Sequence, residues 1–232
     1  METRRELPGL VPCIWVATIK ASQGAISQEL GCSPALGKSI PSIAIVVRID
    51  DSVHELWKLR ATDQIARDID TRLHKLMHLL AAAEIQVGEV QLDYDCPEKR
   101  LGAWAQVVRV VSLSSLKGKS VWITSLPAHL KNPNYSTWLR GAVTGHILQL
   151  FDTGVSCSHE SLTRLADCLR NQDMSFRIGL GAFERVGFGK RTDHQLWFST
   201  LPSFAAIPEY KGVWIFPGGK KWLQLYPLCD TY

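Results

Sequence analysis

The chain has 232 residues, 46% of them hydrophobic and 21% charged, with a mean hydropathy of -0.01, which is the composition of a globular protein with a sizeable core. The net charge of +4 comes from basic residues scattered along the chain, apart from short clusters such as Gly189-Lys190-Arg191 and Lys220-Lys221, so no basic stripe with interleaved aromatics points to nucleic acid. Disordered, collagen-like and coiled-coil chains are excluded by composition, and no apolar run approaches the roughly 20 residues of a transmembrane helix.

The amino-terminal stretch is ambiguous. Two arginines precede the mostly apolar Leu7 to Ile19, and small residues follow at Ala21 to Ala25, which loosely imitates an export signal. Pro8 and Pro12 interrupt that run and Lys20 follows it closely, so a first strand with a frayed leader competes with export, and the compartment stays open between cytoplasm and periplasm. Residues 1–40 therefore read as a leader plus an irregular or degenerate first unit, and 41–232 as one α/β domain. The six cysteines show neither a CxxC pair nor zinc-type spacing.

From Ser42 onward short apolar strands alternate with helical periodicities, the order expected of parallel strands joined by crossover helices. Ile43 to Ile49 is apolar on both faces, as a strand covered on both sides requires. Thr62 can cap a helix reaching about Ala83, in which Ile65, Ile69, Leu73, Leu76, Leu79 and Leu80 recur at three- and four-residue steps. Val87 to Tyr94 predicts a strand, Arg100 to about Val111 a helix, and Ser120 to Leu126 a strand closed by Pro127. Gly145 to Phe151 follows as a strand, then a helix from about Ser158 to Asn171 with a polar cap. Phe176 to Phe183 and Gly212 to Phe216 complete the strands, and Gly187 to Lys211 reads as a loop with one short strand near Leu196 to Ser199.

In such architectures the groups that meet ligands gather at the carboxyl ends of the strands. Gln91-Leu92-Asp93-Tyr94-Asp95-Cys96-Pro97 is the sharpest signal there. Gln91, Asp93 and Asp95 share a face, and the two carboxylates stand about 7 Å apart along the strand. Joint ionisation is then costly, so one pKa rises unless Arg48 or a metal neutralises the pair, and a carboxylic acid with a raised pKa suits protonation of a leaving group. Alternatively, Asp95 caps the Pro97 turn and Asp93 pairs with Arg48 in a buried ion pair. Arg48 and Asp50 share a face on the neighbouring strand, Gln149 lies in an apolar strand, and Glu184 follows a later one. Trp197, Trp214 or Trp222 could offer a flat surface to a sugar ring.

Other chemistries find little support. No GxSxG elbow or HExxH occurs, and Gly179-Leu180-Gly181 lacks the third glycine of a dinucleotide fingerprint, so no cofactor is expected. His74 and His78 sit four apart on a helix, where a solvated pair outweighs a shared metal.

The Gln-Leu-Asp-Tyr-Asp-Cys-Pro run resembles the bacterial domain-of-unknown-function family 3142. Val46-Val47-Arg48-Ile49-Asp50, Trp122-Ile123-Thr124-Ser125-Leu126-Pro127, Leu148-Gln149-Leu150 and Gly212-Val213-Trp214 follow the same family's order. The likeness spans about Ile43 to Phe216 and implies a glycosidase-like (β/α) TIM-type barrel, here incomplete or altered at its amino terminus, whose members are often exported. The Asp-Tyr-Asp strand is also similar to the Asp-x-x-Asp-x-Asp-x-Glu strand of chitinase-like glycosidases. With Asp93 and Asp95 as the inner acids, Val90 stands at the first Asp and Pro97 at the catalytic Glu, and Glu98 comes one residue late, which disfavours the substrate-assisted chitinase route.

The expectation is a glycoside-hydrolase-like barrel that binds or hydrolyses a carbohydrate or other small polar ligand. Asp93, Asp95 or Glu184 would supply the acid, and Arg48, Asp50, Gln91, Gln149 and Trp214 would bind substrate. A non-catalytic glycan- or protein-binding barrel is the competing expectation. A metal-dependent hydrolase using Asp50, Asp93 and Asp95 is a third.

Overall fold

The computed structural model describes residues 11, 13–32, 42–182 and 194–217. The chain opens with a hairpin, β1 (Cys13–Ser22) and β2 (Ala25–Leu30), in the stretch that the sequence sets apart as an irregular first unit. Ser22 pairs with Ala25 across a two-residue turn in which Gln23 and Gly24 both have positive φ, 51° and 78°. Such a turn matches the twist of antiparallel strands, and glycine adopts its second position without steric cost.

The remaining elements alternate as expected. β3 (Ile43–Ile49) is followed by α1 (Val53–Leu59) and the long α2 (Thr62–Ala82), then by β4 (Val87–Asp93), α3 (Leu101–Leu113) and β5 (Ser120–Ser125). The short α4 (Tyr135–Leu139) leads to β6 (Gly145–Gln149), α5 (His159–Gln172) and β7 (Phe176–Ala182). Ser158 caps α5 by accepting a hydrogen bond from the Ser161 amide, whereas Ala61, not Thr62, stands at the cap of α2. The described part of the stretch read as a loop with a short strand, from His194 onward, instead forms two helices, α6 (His194–Ser199) and α7 (Leu201–Ala205). Trp197, Phe198, Leu201 and Phe204 are buried there, so helical packing onto the sheet overrides a run too short to show its period. β8 (Tyr210–Pro217) closes the order.

The eight strands form one sheet in the order β2-β1-β3-β4-β5-β6-β7-β8. β1 pairs parallel with β3, every later pair is parallel, and β1–β2 is antiparallel. The expectation of a TIM-type barrel incomplete at its amino terminus is therefore met in its α/β alternation, while among the described residues the sheet is mixed and not closed. The physical reason is local. A closed barrel needs the free hydrogen-bonding edge of β1 for its last strand, and in this chain β2 already occupies that edge.

The sheet nevertheless curls strongly. Glu89 on β4 and Arg177 on β7, three places apart in the sheet, meet in a bidentate ion pair at 2.6 and 2.9 Å. The Arg177 guanidinium lies 3.8 Å from the ring centroid of Trp122 on β5 and 5.2 Å from that of Trp214 on β8. Only a sheet bent until its inner face meets itself brings β4, β5, β7 and β8 around one cation. The opposite face is largely apolar: Ile45, Val47, Val90, Leu92, Ile123 and Ile178 are sealed in one core with Ile65, Ile69, Leu73 and Leu76 of α2 and Trp104 and Val108 of α3. Each such large side chain contributes about 1.5–3 kcal/mol by leaving water.

Candidate functional site

Parallel pairing in register sets the site. Arg48 at the end of β3 lies opposite Asp93 at the end of β4, and Gln91 lies opposite Trp122 on β5. Period-two alternation then puts Glu89, Gln91 and Asp93 on the inner face of β4, with the ion pair deepest and Asp93 at the mouth. A cavity of about 1260 Å³ opens at this carboxyl edge. Arg48, Asp51, Asp93, Asp95, Gln149 and Trp214 line it, together with Trp15, Phe151 and Phe216.

Asp93 is tied from below. Gln91 Nε2 donates to Thr124 Oγ1 at 3.1 Å, and the Thr124 hydroxyl donates to Asp93 Oδ1 at 2.6 Å. The Thr124 proton is thereby committed to the carboxylate. Oδ1 acts as an acceptor, and a proton carried by Asp93 resides on Oδ2. Burial raises the Asp93 pKa, opposed by the Thr124 hydrogen bond and the charge of Arg48. Asp95 is exposed as a residue, yet its pKa is also raised, first by partial desolvation of the carboxyl and then by the charges of Asp93 and Asp51. Among the described residues no carboxylate forms an ion pair with Arg48, so the alternative of a locked Arg48–Asp93 bridge is not what the fold builds.

Several expected site residues stand elsewhere. Asp50 accepts from the Ser52 amide at 2.9 Å, its pKa is lowered first by the Ser52 hydroxyl and then by that amide, and Asp51 rather than Asp50 lines the cavity. Gln91 is fully buried beneath the cavity and reaches Asp93 only through Thr124. Gln149 donates to the Phe151 carbonyl at 3.2 Å, which leaves its Oε1 to accept from a ligand. Glu184 and Trp222 lie outside the described residues, and Trp197 is buried in the core. Glu98, the residue one place late for a chitinase acid, sits exposed in the 3-10 turn Glu98–Arg100 and does not line the cavity.

Asp50, Asp93 and Asp95 do not form a metal centre, and no group of three or more His, Cys, Asp or Glu suited to a metal occurs among the described residues. His74 and His78 pair with each other at 3.0 Å on the exposed face of α2.

Trp15 and Thr124 were legible in type but not in role. The Trp15 indole is 51% exposed, donates from Nε1 to the Ala17 carbonyl at 3.0 Å, and lies against Gly31, where a Cβ would come within 2.9 Å of the ring. Glycine at 31 lets the indole lie flat, and the period-two pattern of β1 was the signal that could have placed it.

No family model matches the sequence, and no curated protein sequence matches it. Solved structures do. The chitinase RmChi1 from Rhizomucor miehei superposes with a TM-score of 0.59 at 8% identity, over 94% of this chain and 92% of that one. The chitinase ICChI from Ipomoea carnea superposes with a TM-score of 0.52 at 14% identity, over 92% and 88%. The spore cortex-lytic enzyme SleL from Bacillus cereus superposes with a TM-score of 0.49 at 13% identity over 77% of this chain, which spans only 46% of that enzyme. At these identities the likeness is one of fold alone: the chain shares its α/β architecture with the two chitinases.

Proposed function

We propose that the chain is a carbohydrate-active protein whose cavity takes a glycan, with Asp95 as the proton donor and Asp93 as the carboxylate that supports positive charge at the sugar. The observation that carries this is the placement of both acids on the wall of one large open cavity, each with a raised pKa and neither bridged to Arg48. A carboxyl that stays protonated to higher pH can give its proton to a glycosidic oxygen, and Asp95 is the more accessible of the two. Thr124 holds Asp93 from below, which favours its ionised form in the substrate complex.

The rest of the cavity suits a sugar. Trp15 and Trp214 present flat apolar surfaces, while Arg48 and the free Oε1 of Gln149 provide a donor and an acceptor for hydroxyl groups. The resemblance to family 3142 and the fold shared with chitinases agree with this assignment.

The second reading, a binding module without turnover, rests on a specific absence: the Glu98 side chain is not in the cavity. Turnover assays on a glycan panel, run beside calorimetry on the same oligosaccharides, separate the two. Hydrolysis abolished by Asp95→Asn supports the enzyme. Binding with no hydrolysis supports the module, and turnover unchanged in both Asp93→Asn and Asp95→Asn refutes the assignment of these acids.

A further inference from the structure

The cavity has a second end, and its charge differs from the first. Past the strand ends it continues to a wall formed by the 3-10 turn His129–Lys131 and one face of α5, which pack on each other. Ser161, Arg164, Leu165 and Cys168, three and four residues apart, turn the same side of α5 to the cavity, and Lys131 joins them from the turn. Among the lining residues, this wall offers two cations and no carboxylate, whereas the end built from β3 and β4 carries Asp51, Asp93 and Asp95 beside Arg48.

Neither cation is consumed by the fold. Lys131 is exposed and forms no ion pair among the described residues. Arg164 reaches Glu160 at 3.1 Å, but both side chains are largely exposed, and such a surface pair does not withhold a guanidinium from a ligand. Asp152, on the loop between the two ends, already has an interaction partner. At about 1260 Å³ the cavity exceeds the usual size of a pocket for one small molecule, so it has room for more than one sugar ring.

We propose that the Lys131–Arg164 wall is a subsite for an anionic substituent, so that the glycan taken by this cavity is an acidic one bearing carboxylate or sulfate groups. This rests on the carbohydrate assignment above. Neutral hydroxyls are served equally by amide and hydroxyl groups, whereas two cations on one wall of a cavity gain most from an anion. The aspartates repel negative charge from their own end, which fixes the direction in which such a chain lies.

Titration calorimetry on the full chain at low ionic strength tests this with three probes: tetragalacturonate, a sulfated carrageenan tetrasaccharide and neutral chitotetraose. The expected result is that at least one acidic probe binds about tenfold more tightly than chitotetraose. The Lys131→Gln/Arg164→Gln double variant should bring that preference to within about twofold, and Lys131→Arg/Arg164→Lys should keep it. Whichever acidic probe binds better identifies the substituent. Chitotetraose binding as tightly as both acidic probes, or a preference that survives the double Gln substitution, overturns the subsite while leaving the carbohydrate assignment standing. Failure of all three probes to bind overturns both.

Discussion

Two parts of the molecule hold titratable groups shifted by burial, and they differ in what can reach them. At the mouth of the curled sheet, Asp93 and Asp95 have raised pKa values and line an open cavity. On the opposite face, His146 on β6 is fully buried, with its Nδ1 2.6 Å from the Ser125 hydroxyl and its ring edge-on to Tyr135 at 5.7 Å. Burial pushes its pKa down to about 3. His129 nearby is also lowered by burial, and it is spent on the Leu126 amide and the Cys96 carbonyl. A Ser–His contact of this length resembles a nucleophile and base, but nothing outside the fold can approach it. A perturbed pKa marks a site only where the group also meets a cavity.

That contrast can be broken most directly at the acids. Asp95→Asn is expected to cut turnover on a responsive glycan by about 10²–10⁴-fold with little change in melting temperature, as initial rates and thermal melts would measure. Comparable loss from His146→Gln, at a temperature where the variant remains folded, would show that the buried pair and not the cavity carries the chemistry.

The interior ion pair is the next largest effect, and it belongs to architecture. Glu89→Gln leaves the Arg177 guanidinium partly buried without its carboxylate, so chemical denaturation should report a loss of about 2–4 kcal/mol. A neutral result would mean that the stacking on Trp122 and Trp214 alone holds the curl.

Of similar size, and specific to the sealed face, is an acid dependence of stability. The folded protein keeps His146 neutral well below its ordinary pKa of 6.5, so the unfolded chain binds the additional proton first. The stabilisation is complete above about pH 6.5 and is lost as pH falls from there towards about 3, at up to about 1.4 kcal/mol per pH unit. Denaturation midpoints between pH 7 and 4 test this, and His146→Gln should flatten the slope.

The smallest effects sharpen the cavity side. Thr124 lowers the Asp93 pKa against the rise caused by burial, so Thr124→Val should move the Asp93 titration upward, and Thr124→Ser should restore it, as carboxyl-carbon NMR would show. Trp15→Ala is expected to weaken binding of a responsive oligosaccharide by about 1 kcal/mol, measured by calorimetry, without disturbing the fold.

Much of this chain was readable from residue order. Ile43–Ile49 is bounded as found, the α2 periodicity covers every one of its large buried positions but also takes in Leu79, which is 41% exposed, and Asp93 and Asp95 stand out as two charges at strand spacing in an apolar run. Alternation and helical period are local properties, set by backbone geometry and by the cost of leaving apolar faces in water. Closure, access and partnership are not local. The Gln23-Gly24 turn is a two-residue signal, yet its consequence, that β2 takes the edge a closing strand would need, appears only when the strands are assembled. Asp50 and Asp51 are adjacent and chemically identical, and only the Ser52 turn decides that one caps backbone while the other meets the cavity. Likewise, Glu89 and Arg177 are 88 positions apart, and no pattern along the chain couples them. Sequence set the elements because neighbouring residues determine them; tertiary structure decided the site because it is made of residues that only the curl of the sheet brings together.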